Sequence, residues 1–202
     1  MPDSSTGGYL LPTSTNGDLN DVALAVFLQA LVVGVTGLSG PLVRPRWQPE
    51  PPAEPDFGTN WAAIGPSGEV DRDPFSASIH QSVDGVGSTT EVSNRVIPVL
   101  CSFYGPMAAT NFELLANGLK VPQNREMIQL AGFNLVSGVK GPTPVPVQQK
   151  NRWTYRVDGS FRIRQQQAYT YPIDDLAGAA ITLNAAEGST VITETINVSD
   201  PE

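Results

Sequence analysis

The stretch Arg152–Tyr171, RWTYRVDGSFRIRQQQAYTY, constrains this chain more than any other. Trp153, Tyr155, Val157, Gly159, Phe161 and Ile163 fall on one side of a two-residue repeat. Arg152, Thr154, Arg156, Asp158, Ser160, Arg162 and Arg164 fall on the other. Strand side chains alternate between faces, so the run predicts one long β-strand with an aromatic core face and a charged face.

Composition bounds what can surround it. Hydrophobic residues make up 40% of the 202, which is enough for a core. Gly (19) and Pro (18) are abundant, so the expectation is strands joined by long loops, with few helices. A net charge of -8 argues against stable wrapping of nucleic acid, although Lys150, Arg152, Arg156, Arg162 and Arg164 gather locally. The single cysteine, Cys101, rules out an intrachain disulfide and a cysteine-built zinc site, and it fits a reducing compartment. The opening MPDSSTGGYLLPTST lacks a basic segment followed by an apolar run, so no secretory signal is expected. The most apolar run, 22–33, is too short to span a bilayer. A soluble protein made in a cytoplasm is the resulting expectation.

Residues 1–17, rich in Ser, Thr and Gly, read as an arm that is flexible or orders against a partner. A helix is expected from Asp18 or Asn20 to about Val33, with Leu19, Val22, Ala23, Val26, Ala30 and Leu31 or Val33 as its stripe and Gly34 just past its end. Leu42–Trp47 reads as a short strand, and the prolines at 49, 51, 52 and 55 as an extended loop. Phe75–Val83 and Glu91–Tyr104 read as two strands joined by a loop at 84–88. The second is apolar on both faces, as in a covered central strand, and Pro98 predicts a bulge or an unpaired edge within it. Helices are expected at Ala108–Asn117, closed by Gly118, and from Pro122 to about Gln129. Phe133–Val136 reads as a short strand and 138–151 as a second proline loop. The tail alternates again over Thr190–Val198. The resulting class is α+β: a mainly antiparallel sheet flanked by an N-terminal helix and two short helices, with extended terminal arms. The expected divisions are an arm at 1–17, a domain at 18–172, and an extension at 173–202 that forms a hairpin or pairs elsewhere.

No motif of catalytic strength accompanies these elements. His80 is the one histidine, with Ser78, Ser82 and Asp84 near it in sequence but no nucleophile elbow, so it reads as an ordinary strand residue. Cys101 lies in an apolar strand without a basic neighbour in sequence to activate it. Asp174-Asp175 would point to opposite faces, and Asp71 and Asp73 lack the glycine and terminal glutamate of a calcium loop. Gly85-Val86-Gly87 fits a hairpin better than a phosphate loop. No catalysis, cofactor or metal is expected. Arg152, Arg156, Arg162 and Arg164 are the candidate site: a subunit interface, with a solvated sheet face or DNA-phosphate contact as the other readings.

Three phrases carry a family resemblance. Val96–Pro106 (VIPVLCSFYGP) leads through a Tyr-Gly-Pro turn into a helix. After a proline loop, Asn151–Tyr155 (NRWTY) opens a late strand that runs on to the glutamines at 165–167. Together with the amino-terminal helix and the proline-containing segment Arg44–Phe57, these resemble the bacteriophage neck and tail terminator proteins over about residues 19–172. The resemblance implies a small α+β subunit that assembles as a ring, commonly hexameric. Such a ring caps the finished tail tube, stops its polymerisation and meets the head-completion proteins, with the last sheath ring as a further neighbour in contractile tails. Genomic DNA passes through its lumen, and an acidic chain suits DNA that must slide without sticking. The implied location is the virion, with assembly in the host cytoplasm. The alternatives are a head-completion or connector adaptor of the neck, and a β-rich binding module. The dispersed Trp47, Trp61 and Trp153 give the last little support.

Overall fold

From Val157 onward the alternation becomes a sheet face. Val157, Gly159, Phe161, Ile163, Gln165 and Gln167 are buried, while Arg162, Arg164 and Gln166 between them are exposed. The structure is a computed structural model, and it describes residues 8–17, 20–48, 50, 52–83, 86–149, 151–174, 179–183 and 192–196. In chain order its elements are β1 (Ser14–Asn16), α1 (Asp21–Thr36), β2 (Val43–Pro45), β3 (Trp61–Pro66), β4 (Asp71–Arg72), β5 (Ala77–Val83) and β6 (Val86–Tyr104). Next come α2 (Ala108–Gly118), α3 (Pro122–Leu130), β7 (Phe133–Pro144), β8 (Val147–Gln149), β9 (Arg152–Thr154), β10 (Arg156–Pro172), β11 (Ala179–Leu183) and β12 (Ile192–Ile196). The fold is α+β with a mainly antiparallel sheet, in which β2 and β3 alone among the described pairings run parallel.

The chain divides into two compact units. The larger comprises Gly17–Ser76 and Ser93–Gln167. Here β6 pairs with β3 and β4 along one edge, and β10 pairs with β7. The smaller comprises Met1–Asn16, Ala77–Val92 and Ala168–Glu202. In it β5 pairs with the start of β6, β1 pairs with the end of β10, and β11 pairs with β12. Residues 84–85 between β5 and β6, part of the expected 84–88 loop, lie outside the described residues. So do parts of both expected arms.

The core lies in the larger unit. Ile97, Val99, Cys101 and Phe103 of β6 and Val157, Phe161 and Ile163 of β10 join Leu24, Leu28 and Val32 of α1 and Phe112 and Leu115 of α2. Each large side chain so buried contributes about 1.5–3 kcal/mol. β6 is covered on both faces, with Val86 its one exposed residue. Pro98 falls between Val99, where β3 ends, and Val96, where β4 begins. On that edge its missing donor faces a turn instead of a ladder, and its carbonyl accepts Ser67 N–H at 2.9 Å. Gly159 sits where a Cβ would overlap the Phe112 ring, so the sheet can only pack against α2 with glycine there.

Several expectations need correction. Trp153 and Tyr155 are 69% and 56% exposed and take no part in the core. The strand breaks at Tyr155, whose carbonyl accepts Gly105 N–H at 3.0 Å, and β9 pairs instead with β8 in a separate hairpin. α1 runs two residues beyond Gly34, and Gly37 closes it with φ 75° and its N–H on the Val33 carbonyl. Its buried stripe is Leu24, Leu28 and Val32, while Val22 and Val26 are exposed. Apolar residues occupy nearly every face of DVALAVFLQALVVGVT, so periodicity could not select the inner one. Gly118 lies inside α2, where its lack of a Cβ admits Val35 of α1. β7 continues into the expected proline loop as far as Pro144, because among the described residues β7 pairs only with β10, and an edge strand tolerates proline.

Candidate subunit interface

The four arginines of the late strand have unequal surroundings. Arg152 lies on β9, exposed, with its guanidinium 5.2 Å from the centre of the Phe57 ring. Arg156 opens β10 and is turned inward. Its Nε and Nη2 each donate to the Asp158 carboxylate at 2.8 Å, and that hydrogen bond raises the Arg156 pKa further. Arg162 and Arg164 project from the outer face of β10. Arg162 lies 3.6 Å from Asp71, with both side chains more than half exposed, so this pair adds little stability. The structure thus puts Arg162 and Arg164 on one face, Arg152 on another hairpin, and Arg156 in an internal ion pair.

A second arginine group was not singled out in the sequence. Trp61 and Tyr104 are cross-strand partners of β3 and β6 and stack with ring centres 3.9 Å apart. Arg44 lies over the outer face of Trp61 at 5.6 Å and Arg156 over Tyr104 at 5.5 Å, making a four-layer cation–ring–ring–cation stack. Arg46 donates to Ser102 Oγ at 2.9 Å nearby. These groups line an open cavity of about 270 Å3. Burial raises the Tyr104 phenol pKa, against the lowering pull of Arg156. The one signal in the sequence was the alternation Arg44-Pro45-Arg46, whose arginines share a strand face. Their ring partners are distant in sequence and could not be assigned.

The remaining candidates have structural settings. His80 Nδ1 is 2.7 Å from Thr89 Oγ1. Burial pushes the Cys101 thiol far up, so it is not a nucleophile at ordinary pH. Asp174 Oδ1 accepts Gly87 N–H at 3.1 Å. Among the described residues no His, Cys, Asp and Glu cluster could hold a metal ion. No helix among them is long and apolar enough to cross a membrane. Uncovered apolar side chains are prominent: Phe75, Ile79, Val83 and Val86 are all more than half exposed.

Exposed arginines, a cationic cavity and uncovered apolar groups describe a structural subunit that meets other proteins. A family profile described as phage neck terminator protein matches residues 22–187, and the chain belongs to that family. It is therefore a structural component of the bacteriophage neck, in contact with other phage tail or head proteins. No curated protein matches the chain.

Proposed function

We propose that this subunit is a tail terminator: copies of it close into a ring, hexameric in the simplest case, that caps the tail tube and stops its polymerisation. The family match over residues 22–187 carries this reading. The ring's neighbours are the tail tube protein, the head-completion proteins and, in a contractile tail, the last sheath ring. Genomic DNA passes through the lumen without sequence-specific contact, and the net charge of -8 favours sliding over binding. The ring is a virion part assembled in the host cytoplasm, and it performs no catalysis. Residues 18–172 form the terminator domain, with 1–17 and 173–202 as segments that order on assembly.

Arg152, Arg162 and Arg164 meet the acidic surface of adjoining copies, and Arg156 supports them from its pairing with Asp158. Arg162→Glu with Arg164→Glu accordingly weakens assembly while leaving the unfolding midpoint of the subunit unchanged, as read by sedimentation and urea titration.

The test of capping is direct. Purified protein is added to polymerising tail tube protein and the tubes are imaged by electron microscopy. Arrested tubes bearing a ring at one end are expected. Tubes that grow to the same lengths with no ring would point to the adaptor role in the neck instead.

A further inference from the structure

We infer that the cavity walled by Arg44, Arg46 and the Trp61–Tyr104 stack is an acceptor for carboxylates of a second copy, delivered by its acidic run Glu69–Asp73. The proposal deepens the ring reading and rests on it for the identity of the partner.

The cavity has a positive excess. Arg44, Arg46 and Arg156 line it, against Glu54 on its wall. Asp158 already pairs with Arg156. Among the described residues, no carboxylate lies within ion-pair distance of Arg44 or Arg46. Both are nevertheless held in place. Arg44 Nη1 donates to the Ala53 carbonyl at 2.8 Å, and Arg46 Nη1 to Ser102 Oγ. Guanidiniums fixed before binding lose little freedom when an anion arrives. At about 270 Å3 the cavity accepts one or two carboxylate side chains. It is below the usual range for a ligand of drug size, roughly 300–1,000 Å3. It is also a single recess, unlike the continuous basic stripe that tracks a nucleic-acid backbone.

The complementary surface is on the same chain. Glu69, Asp71 and Asp73 are all exposed. Among the described residues the Asp71 side chain makes only the loose Arg162 contact, while Asp73 accepts from Asn94 Nδ2 at 3.0 Å. A subunit cannot fill its own cavity with this run. Asp71 sits opposite Val96 on β6, and Trp61 sits opposite Tyr104. That is eight residues along one strand, or about 26 Å at ~3.3 Å per residue. Donor and acceptor at separate stations of a sheet make a head-to-tail contact, the type that generates rings when its rotation closes.

Two measurements test this. In the first, sedimentation equilibrium compares wild type, Arg44→Glu/Arg46→Glu, Glu69→Lys/Asp71→Lys and the four-substitution combination. Each pair alone is expected to weaken assembly about tenfold or more, and the combination to recover most of it. Losses that simply add in the combination would overturn the pairing. The second does not need a ring. On a Trp47→Phe/Trp153→Phe background, Trp61 fluorescence is titrated with a peptide of residues 67–75 and, separately, with inorganic phosphate. Saturable binding of the peptide is expected, abolished by Arg44→Glu/Arg46→Glu and by amide replacement of the peptide's carboxylates. Saturation by phosphate alone, or no response to peptide in a folded protein, would overturn the assignment. Peptide binding by a chain that stays monomeric would retain the cavity and remove the ring.

Discussion

β5 and β10 carry the same two-residue alternation and end in opposite states. In β10, Phe161 and Ile163 are 1% and 0% exposed, covered by helices of their own unit. In β5, Ile79 is 52% exposed and Val83 74%, and every residue but Ser82 is exposed. An alternating pattern therefore establishes a strand with two unlike faces, but not that the chain itself covers the apolar one. The difference separates residues that hold the subunit together from residues the subunit leaves uncovered.

The strongest way to break that contrast is truncation. Phe161→Ala should cost about 3–5 kcal/mol, because it removes a filled core position and leaves a cavity. Urea unfolding measures it. A loss below 1 kcal/mol would mean that the β10 face is not the core it is taken to be.

Cys101 sharpens the contrast through pH. Burial raises its folded pKa far above the unfolded value of about 8.5. The neutral thiol is thus fully compatible with folding below about pH 8.5, and above it the unfolded state alone releases the proton. Stability should then fall by up to ~1.4 kcal/mol per pH unit from this one group. Cys101→Ala should flatten that slope between pH 8 and 10, measured by urea midpoints, relative to wild type. An unchanged slope would show that the thiol is reached by solvent.

The smallest expected change in folding is on β5. Ile79→Ser with Val83→Ser should shift subunit stability by no more than about 0.5 kcal/mol, as exposed positions do. If these positions are covered by another copy, sedimentation should nevertheless show weakened assembly. A large stability loss would place the β5 face inside the subunit, and an unchanged assembly would leave it to solvent.

The fold was legible where a pattern had one solution. β6 announced itself by apolar residues on both faces, and α2 and α3 by their bounds at Ala108 and Pro122. It was not legible where the pattern was degenerate. α1 is apolar nearly all round, so its inner stripe of Leu24, Leu28 and Val32 depended on what packs against it. β7 hid behind Pro142 and Pro144, because edge position is a property of the sheet and not of the segment. Trp153 and Tyr155 follow the alternation perfectly, yet the Tyr155 carbonyl, bonded to Gly105, breaks the strand between them and β10. The arginine face was read as continuous for the same reason. Arg156, counted with the exposed set, is tied to Asp158 two residues on, and Arg44 and Arg46 meet their rings only through pairings distant in sequence.

All of these exposed surfaces gain their meaning from the claim that copies of the subunit close on one another. Native mass spectrometry of the purified protein over a concentration series tests that most directly. The account predicts one dominant closed species at a fixed integer multiple of the 21.5 kDa subunit, dissociating straight to monomer on dilution. A monomer at every concentration, or an open-ended ladder of sizes, would contradict it.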